Sequence, residues 1–325
     1  MIGVVLLNMG GPDDLSAVRP FLYNLFSDRE IIQLGPPWLQ RPLARLISWV
    51  RAPKSRECYR KIGGRSPILH LTRLQAQALA RLAREREGRE WLVEPGMRYW
   101  APRTPEVLEG MVRRGVRRVV GIPLYPHFSR ATSGSSIAEF QEACMALGLE
   151  HEVVEGYPDH PLYLASLLEG LGAAFDAAGF PRWEIPPDGA LIYSAHSLPR
   201  RFVEEGDPYV DQIRATIRGM EELTSVEGEL CFQSRSGPVE WLEPATDHLL
   251  DELASRGKRR IVVVPISFVS DHVETLYEID ILYRGQVEAR GARLFRARVP
   301  NDSPRFIEAL YDLAVMAMER AGWLG

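Results

Sequence analysis

Apolar residues occur along this chain in short unbroken blocks, separated by longer stretches with helical periodicity. Residues 4–7, 119–122, 190–193 and 261–266 are such blocks, each rich in Val, Ile or Leu. Blocks this short predict strands buried on both faces, as in a parallel sheet. Between them, residues 66–86 place Ile68, Leu71, Leu74, Ala78, Leu79 and Leu82 at helical spacing. Residues 303–321 do the same with Phe306, Leu310, Leu313, Ala314 and Met318. Strands alternating with amphipathic helices predict an α/β protein with parallel sheets.

The pattern occurs twice. Arg114-Gly115-Val116-Arg117-Arg118-Val119-Val120-Gly121-Ile122-Pro123 is matched by Arg256-Gly257-Lys258-Arg259-Arg260-Ile261-Val262-Val263-Val264-Pro265. Ser66-Pro67-Ile68-Leu69 is matched by Asp207-Pro208-Tyr209-Val210, and the strand starts Val5-Leu6-Leu7-Asn8 and Ile192-Tyr193-Ser194-Ala195 align. The spacing between the copies shortens from residue 10 to residue 66, so the first copy carries an insertion, placed at residues 13–57. The Pro-rich segment 181–189 reads as a linker. The expected organisation is an N-terminal lobe over 1–180, a C-terminal lobe over 181–302 and a closing helix over 303–325. Two doubly wound lobes facing each other would leave a cleft lined by strand-end loops, where ligands of open α/β sheets collect.

Composition narrows the class. The 325 residues fit about two domains of roughly 150 residues each. A net charge of −4 gives no reason to expect nucleic-acid binding. Cys58, Cys144 and Cys231 show no Cys-x-x-Cys spacing, which argues against a disulfide framework or structural zinc and for a reducing cytoplasm. The apolar start is too short for a signal peptide, and no block approaches a membrane span.

Four loops follow strands and are expected to share the cleft: residues 9–12, 125–136, 196–201 and 267–278. None carries a nucleotide-binding glycine pattern. His196 ends the apolar strand 190–193 in Ser194-Ala195-His196-Ser197-Leu198-Pro199. An imidazole there, with an ordinary pKa of about 6.5, can accept a proton near neutrality. Glu274 and Glu278 lie four apart on a helix opened by Asp271 and share one side of it. Asp271-x-x-Glu274 equally fits a variant capping box, with Glu274 reaching back to the helix start. Residues 129–136, rich in Ser and Thr, either hold an anionic group or cap a helix. His70, His127, His151, His160, His248 and His272 form no His-x-x-x-His pair, so an enclosed metal cage is not expected.

Within the insertion, residues 36–54 interleave Leu39, Leu43, Leu46, Ile47 and Val50 with Arg41, Arg45, Arg51 and Lys54, with Trp38 and Trp49 near the ends. Such a segment suits an interfacial lip whose apolar residues enter lipid or grip a flat ligand. The competing reading is an ordinary helix packed on its own lobe.

Taken together, these residues resemble the ferrochelatase family, which inserts ferrous iron into a porphyrin at the end of haem synthesis. The resemblance spans residues 3–306. It rests on Leu6-Leu7-Asn8-Met9-Gly10-Gly11-Pro12, Tyr59-Arg60-Lys61-Ile62-Gly63-Gly64-Arg65-Ser66-Pro67-Ile68, Met97-Arg98-Tyr99, and Tyr125-Pro126 with Ser133-Gly134-Ser135-Ser136. It continues through Ser194-Ala195-His196-Ser197-Leu198-Pro199, Phe232-Gln233-Ser234 with Trp241-Leu242, and Ser270-Asp271-His272-Val273-Glu274-Thr275-Leu276-Tyr277-Glu278. The resemblance implies two Rossmann-like lobes, with parallel sheets flanked by helices, around a porphyrin cleft. It implies that His196 is the essential histidine and Glu274 its partner, the two also meeting the metal. Asp271 and Glu278 would form a proton or metal relay. Met9, Tyr59, Ser66, Arg98, Tyr125, Gln233 and Trp241 would contact or flank the macrocycle, Arg98 through its propionates. Segment 36–54 would be the hydrophobic lip, compatible with peripheral membrane contact.

Two departures refine the expectation. Arg130 stands where some members have a cysteine, and no tail cysteines follow, so no [2Fe–2S] cluster and no permanently bound cofactor is expected. Met9 stands where coproporphyrin-using members resemble one another in having tyrosine, which points to protoporphyrin IX as the substrate. The alternatives are a coproporphyrin ferrochelatase, a chelatase loading cobalt or nickel into a more polar tetrapyrrole, and a bilobal haem or iron carrier without chemistry.

Overall fold

The expected alternation is realised as two four-stranded, all-parallel sheets of identical strand order. The computed structural model describes residues 1–88, 90–237 and 239–324, and for Glu87 the backbone alone. The chain folds into two units, residues 1–156 with 306–325, and residues 157–305.

In the first unit the strands are β1 (Ile2–Asn8), β2 (Trp91–Met97), β3 (Arg118–Pro123) and β4 (Glu150–Val153), in the order β2-β1-β3-β4. The interior positions of β1 and β3 are buried on both faces, as their apolar runs require, and those of β2 are buried apart from Glu94. One face packs Val5, Leu7, Leu108, Met111, Val119, Phe140 and Cys144 into a core. Gly121 on β3 faces the Phe140 ring so closely that a Cβ there would lie 2.9 Å from it.

In the second unit the strands are β5 (Gly189–His196), β6 (Glu229–Gln233), β7 (Arg260–Pro265) and β8 (Arg293–Arg296), in the order β6-β5-β7-β8. The repeated motif thus marks equivalent strands, β3 and β7, in two copies of one topology. The core of this unit joins Ile192, Cys231, Leu249, Leu253, Ile261, Val263, Ile279, Tyr283, Val287 and Leu294.

The division of the chain differs from the expected 180/181 boundary. Helix Pro161–Ala178 belongs to the second unit, where it packs on β7, β8 and helix Tyr209–Thr224. Gly170 brings it down onto the chain after β8: a Cβ there would sit 2.1 Å from the Arg298 carbonyl oxygen. The Pro-rich segment 181–189 therefore lies inside this unit and leads directly into β5. The closing helix, Pro304–Arg320, returns to the first unit. There Tyr311 stacks on Trp91 at 5.3 Å between ring centroids, and Arg320 donates to the Glu152 carboxylate.

The insertion forms two helices, Val18–Ser27 and Pro37–Lys61, packed on each other. The second is inside out. Gln40, Ala44, Ser48 and Ala52 are buried, whereas Trp38, Leu46, Trp49 and Val50 are 74%, 55%, 62% and 60% exposed. Small residues let the helices approach, and Gln40 satisfies the carbonyls of Phe26 and Ile32. The helix therefore packs on its own unit, as the competing reading has it, but through its small and polar residues, and it leaves part of its apolar stripe outward. Among the described residues, no helix is long and apolar enough to cross a membrane.

Candidate active site

In the second unit, three neighbouring strands deliver polar residues to one end of the sheet. His196 ends β5, and its register partner on β6 is Gln233. The chain after β7 runs through Ser267 into a π-helix, Glu274–Tyr283, a geometry frequent at functional sites. His196 is fixed from several sides. Its backbone N–H donates to Ser267 Oγ at 2.9 Å, and its carbonyl accepts from the Tyr209 hydroxyl at 3.0 Å. The next residue, Ser197, donates its N–H to the Gln233 carbonyl at 2.8 Å.

The His196 Nδ1 atom lies 2.7 Å from Glu274 Oε2. Burial alone would lower the imidazole pKa, but the Glu274 carboxylate beside it raises the value above that of an ordinary histidine. Burial likewise opposes the charge on Glu274, and His196 overrides it, holding the carboxyl below the usual range. The pair is thus a desolvated imidazole backed by a carboxylate, the arrangement that orients a base and stabilises its protonated form.

The carboxyl row continues to Glu278. Ser234 Oγ lies 2.7 Å from Glu274 Oε2 and 2.5 Å from Glu278 Oε2. Glu278 Oε1 accepts from the Ser234 N–H at 3.0 Å and the Tyr283 hydroxyl at 2.9 Å. Burial first, and then repulsion from Glu274, push the Glu278 carboxyl upward. Glu274 and Glu278 therefore share one side of the helix, and Glu274 spends its carboxylate on His196 and Ser234. The capping-box alternative is overturned.

His272 joins from the loop before the π-helix. Its Nδ1 is 3.1 Å from the Ser270 carbonyl, which fixes that nitrogen as the donor, and Nε2 lies 3.8 Å from Glu274 Oε1. Burial lowers its pKa, so this imidazole is neutral. Sequence reasoning passed over His272, and also Ser234, Tyr283 and Ser267. The readable signal for Ser234 was its position directly after a third apolar strand, β6.

In the first unit the strand ends are likewise tied together. Met9 follows β1; its carbonyl accepts from the Tyr99 N–H at 2.9 Å, and Asn8 accepts from the Arg98 N–H at 2.8 Å. Leu124 donates to the Leu7 carbonyl at 2.8 Å, which sets Tyr125 beside the end of β1. Ser66 closes on the same loop, donating its N–H to the Pro12 carbonyl at 2.8 Å. Gly11 admits it: a Cβ there would sit 2.4 Å from Ser66 Oγ. Tyr59 is buried near the end of helix Pro37–Lys61. Ser129 Oγ accepts from the Ala131 N–H at 3.1 Å, so the first serine of the 129–136 loop caps its own turn.

The model of the ferrochelatase family matches residues 1–318. A ferrochelatase from Geotalea uraniireducens is 48% identical over 95% of this chain and 96% of its own length. One from Picosynechococcus is 43% identical, covering 98% of this chain and 83% of that protein. The chain belongs to the ferrochelatase family. Among solved structures, the sirohydrochlorin chelatase SirB from Bacillus subtilis in complex with cobalt superposes with a TM-score of 0.54 over 77% of this chain and 91% of that one. At 13% identity it attests the chelatase fold alone.

Three residues expected in ferrochelatase roles stand differently in the geometry. Arg98 has its guanidinium occupied: Nε donates to Ser135, Nη1 to Glu139 and Nη2 to Asp28, at 2.8, 2.6 and 2.8 Å. Burial opposes the charge on Asp28, but Ser135, Tyr99 and Arg98 override it and keep the carboxylate ionised. These contacts use three of the five guanidinium N–H donors and tie Arg98 into its own unit. Gln233 is 1% exposed, accepts from Ser194 at 2.8 Å and donates to Glu278 at 3.0 Å. It orients the carboxyl row rather than presenting a face to a ligand. Asp271 lies outside that row, its oxygens taken by Arg296, Thr275 and Asn301 at 2.9 Å each. Trp241 is half-buried, its backbone bridged to Pro199, three residues after His196.

Proposed function

We propose that this ferrochelatase-family protein inserts ferrous iron into protoporphyrin IX, giving protohaem and two protons. The observation that carries the reading is the 2.7 Å contact between His196, which ends β5, and Glu274, which opens the π-helix after β7. Metalation breaks two pyrrole N–H bonds, the electron pairs staying on nitrogen. His196 Nε2, the nitrogen left over by Glu274, is the proposed acceptor of those protons. Glu274 holds the imidazole in orientation and stabilises the imidazolium. Hydrated iron is a substrate here and needs weak, temporary ligands, for which one imidazole and one carboxylate suffice.

Glu278 is the proposed next proton station, while Asp271, locked to Arg296, serves by fixing the start of the π-helix. In the first unit Met9, Tyr59, Ser66 and Tyr125 are proposed porphyrin contacts, and in the second Trp241. Binding energy from such apolar and aromatic contacts can hold the ring bent, so that its nitrogen lone pairs leave the plane. Protoporphyrin is favoured over coproporphyrin by the thioether of Met9, which offers no hydrogen bond to an added carboxylate. The outward Trp38, Leu46, Trp49 and Val50, with Arg41 and Arg45 among them, support a peripheral contact with an anionic membrane surface.

Anaerobic incubation of the purified protein with ferrous iron and either protoporphyrin or coproporphyrin tests the reading. Catalytic appearance of the haem spectrum is expected with both, faster with protoporphyrin. Stoichiometric binding without turnover would replace the enzyme by a carrier, and a preference for coproporphyrin would reverse the substrate assignment.

A further inference from the structure

Edge strand β8 lines a groove of about 380 Å³ in the second unit. In the order β6-β5-β7-β8 it has a strand neighbour on one side only. Arg293 and Ala297 donate their N–H groups toward β7, to the carbonyls of Arg259 and Val263, at 2.8 Å each. Leu294 and Arg296 alternate with them and turn N–H and C=O to the free edge. Such a row of backbone groups is what an edge strand offers to another chain.

Helices wall the edge on two sides. Leu294 packs with Ile279 and Val287, and Arg296 meets Asp271 and Asp280, so both side chains point to the face covered by the π-helix and helix Arg284–Glu288. Helix Pro161–Ala178 lines the other wall with Gly170, Ala173 and Ala177. Ala173 and Ala177 are exposed and leave the edge open where longer side chains would cover it.

The charge of the groove selects its occupant. Among the described residues four arginines line it against one carboxylate, Glu288. Arg284 and Arg296 are already matched by Asp280, and Arg296 by Asp271 as well. Arg293, over the Phe295 ring at 4.9 Å, and Arg298 are exposed, and neither meets a carboxylate among the described residues. A phosphate offers acceptors only and would face the outward carbonyls of Leu294 and Arg296 unfavourably. A peptide backbone supplies an acceptor for each N–H and a donor for each C=O. Charged side chains also serve to guard edges, but a guarded edge has no need of walls held apart by small residues.

We infer that β8 takes up an extended acidic segment of a partner protein as a fifth strand of this sheet. The segment pairs its main chain with Leu294 and Arg296, about 4.8 Å from β8. Its carboxylates meet Arg293 and Arg298 at the two ends of the edge, and its other side chains rest on Phe295 and the alanines. Binding there needs none of the groups assigned to metalation.

Fluorescence anisotropy tests this, using the whole protein and a labelled, end-blocked hexapeptide that alternates glutamate with valine or threonine. The peptide should bind, and Arg293→Glu combined with Arg298→Glu should weaken it about 10-fold or more, a loss typical of a tenfold step in affinity. Methylating one alternating set of its backbone nitrogens should weaken binding by a similar factor and methylating the other set should change little, because only one set faces β8. Ala177→Trp fills the groove from an exposed position and should abolish binding at the wild-type Tm. Failure of the peptide to bind, or equal binding of both methylated peptides, would overturn the inference, the latter reducing the contact to surface charge. Displacement of the peptide by inorganic pyrophosphate at constant ionic strength would overturn it in favour of a small-anion site. A dimer of the protein alone, seen by sedimentation and lost in Ala177→Trp, would assign the groove to a second copy and overturn it equally.

Discussion

The Nδ1 atom of His196 and the Oε2 atom of Glu274 stand 2.7 Å apart, each changing the acidity of the other. Burial alone would make both groups neutral. Together they hold a proton between them, His196 raised and Glu274 lowered.

A pH dependence follows with a definite sign. Because His196 must be neutral to take a pyrrole proton, iron insertion should rise with pH, with a midpoint above the ordinary histidine value of about 6.5. Glu274→Gln removes the group that raises the imidazole and leaves burial to lower it, so the midpoint should move to lower pH while kcat falls. For stability the signs are opposite at the two ends. The contribution of Glu274 is lost as pH falls through its depressed pKa, and that of His196 is lost as pH rises through its elevated one. Denaturant unfolding of wild type and Glu274→Gln across pH should differ most between those two values.

Arg98 offers a second prediction. With Asp28, Ser135 and Glu139 around its guanidinium, Arg98→Leu removes one side of a largely buried ion network and should cost about 3 kcal/mol. Urea unfolding should show that loss, and porphyrin KM should change less than stability does. A large KM effect at unchanged stability would return Arg98 to the role of a propionate partner.

Much of this was legible in the sequence, for physical reasons. Unbroken Val and Ile runs are what strands buried on both faces require, so all four strands singled out as apolar blocks are found, and the duplicated motif marks equivalent strands. His196 and Glu274 were legible because each follows such a strand. The unit boundary was not, because helix Pro161–Ala178 joins the second unit through packing on β7, β8 and helix Tyr209–Thr224, including the close approach at Gly170, that no periodicity records. The orientation of the 37–61 helix was hidden for a similar reason: Ala44, Ser48 and Ala52 pack by being small, while the hydrophobic pattern draws attention to the side chains left outside. Arg98 and Gln233 carry the residue types of ligand contacts, and the chain gives no sign of the hydrogen bonds each makes within its own unit.

Gly170 gives a prediction of its own. An alanine methyl would need the space of the Arg298 carbonyl, so Gly170→Ala should destabilise the second unit by about 1–3 kcal/mol, the usual cost of overpacking. Thermal unfolding measures it directly, and an unchanged Tm would show that the helix can retreat without loss.

The lip can be examined separately from the chemistry. Trp38 and Trp49 are largely exposed, so replacing both by Ser should alter stability by less than about 0.5 kcal/mol each. Flotation with vesicles containing anionic lipid should show less bound protein for the double variant. Equal flotation of both proteins would remove the membrane from the account.

The most direct measurement is single-turnover metalation by His196→Ala. Protoporphyrin should bind with wild-type affinity, read by quenching of its fluorescence, and the haem spectrum should fail to develop on adding ferrous iron anaerobically. Development of that spectrum at the wild-type rate would contradict the assignment of the imidazole as the base.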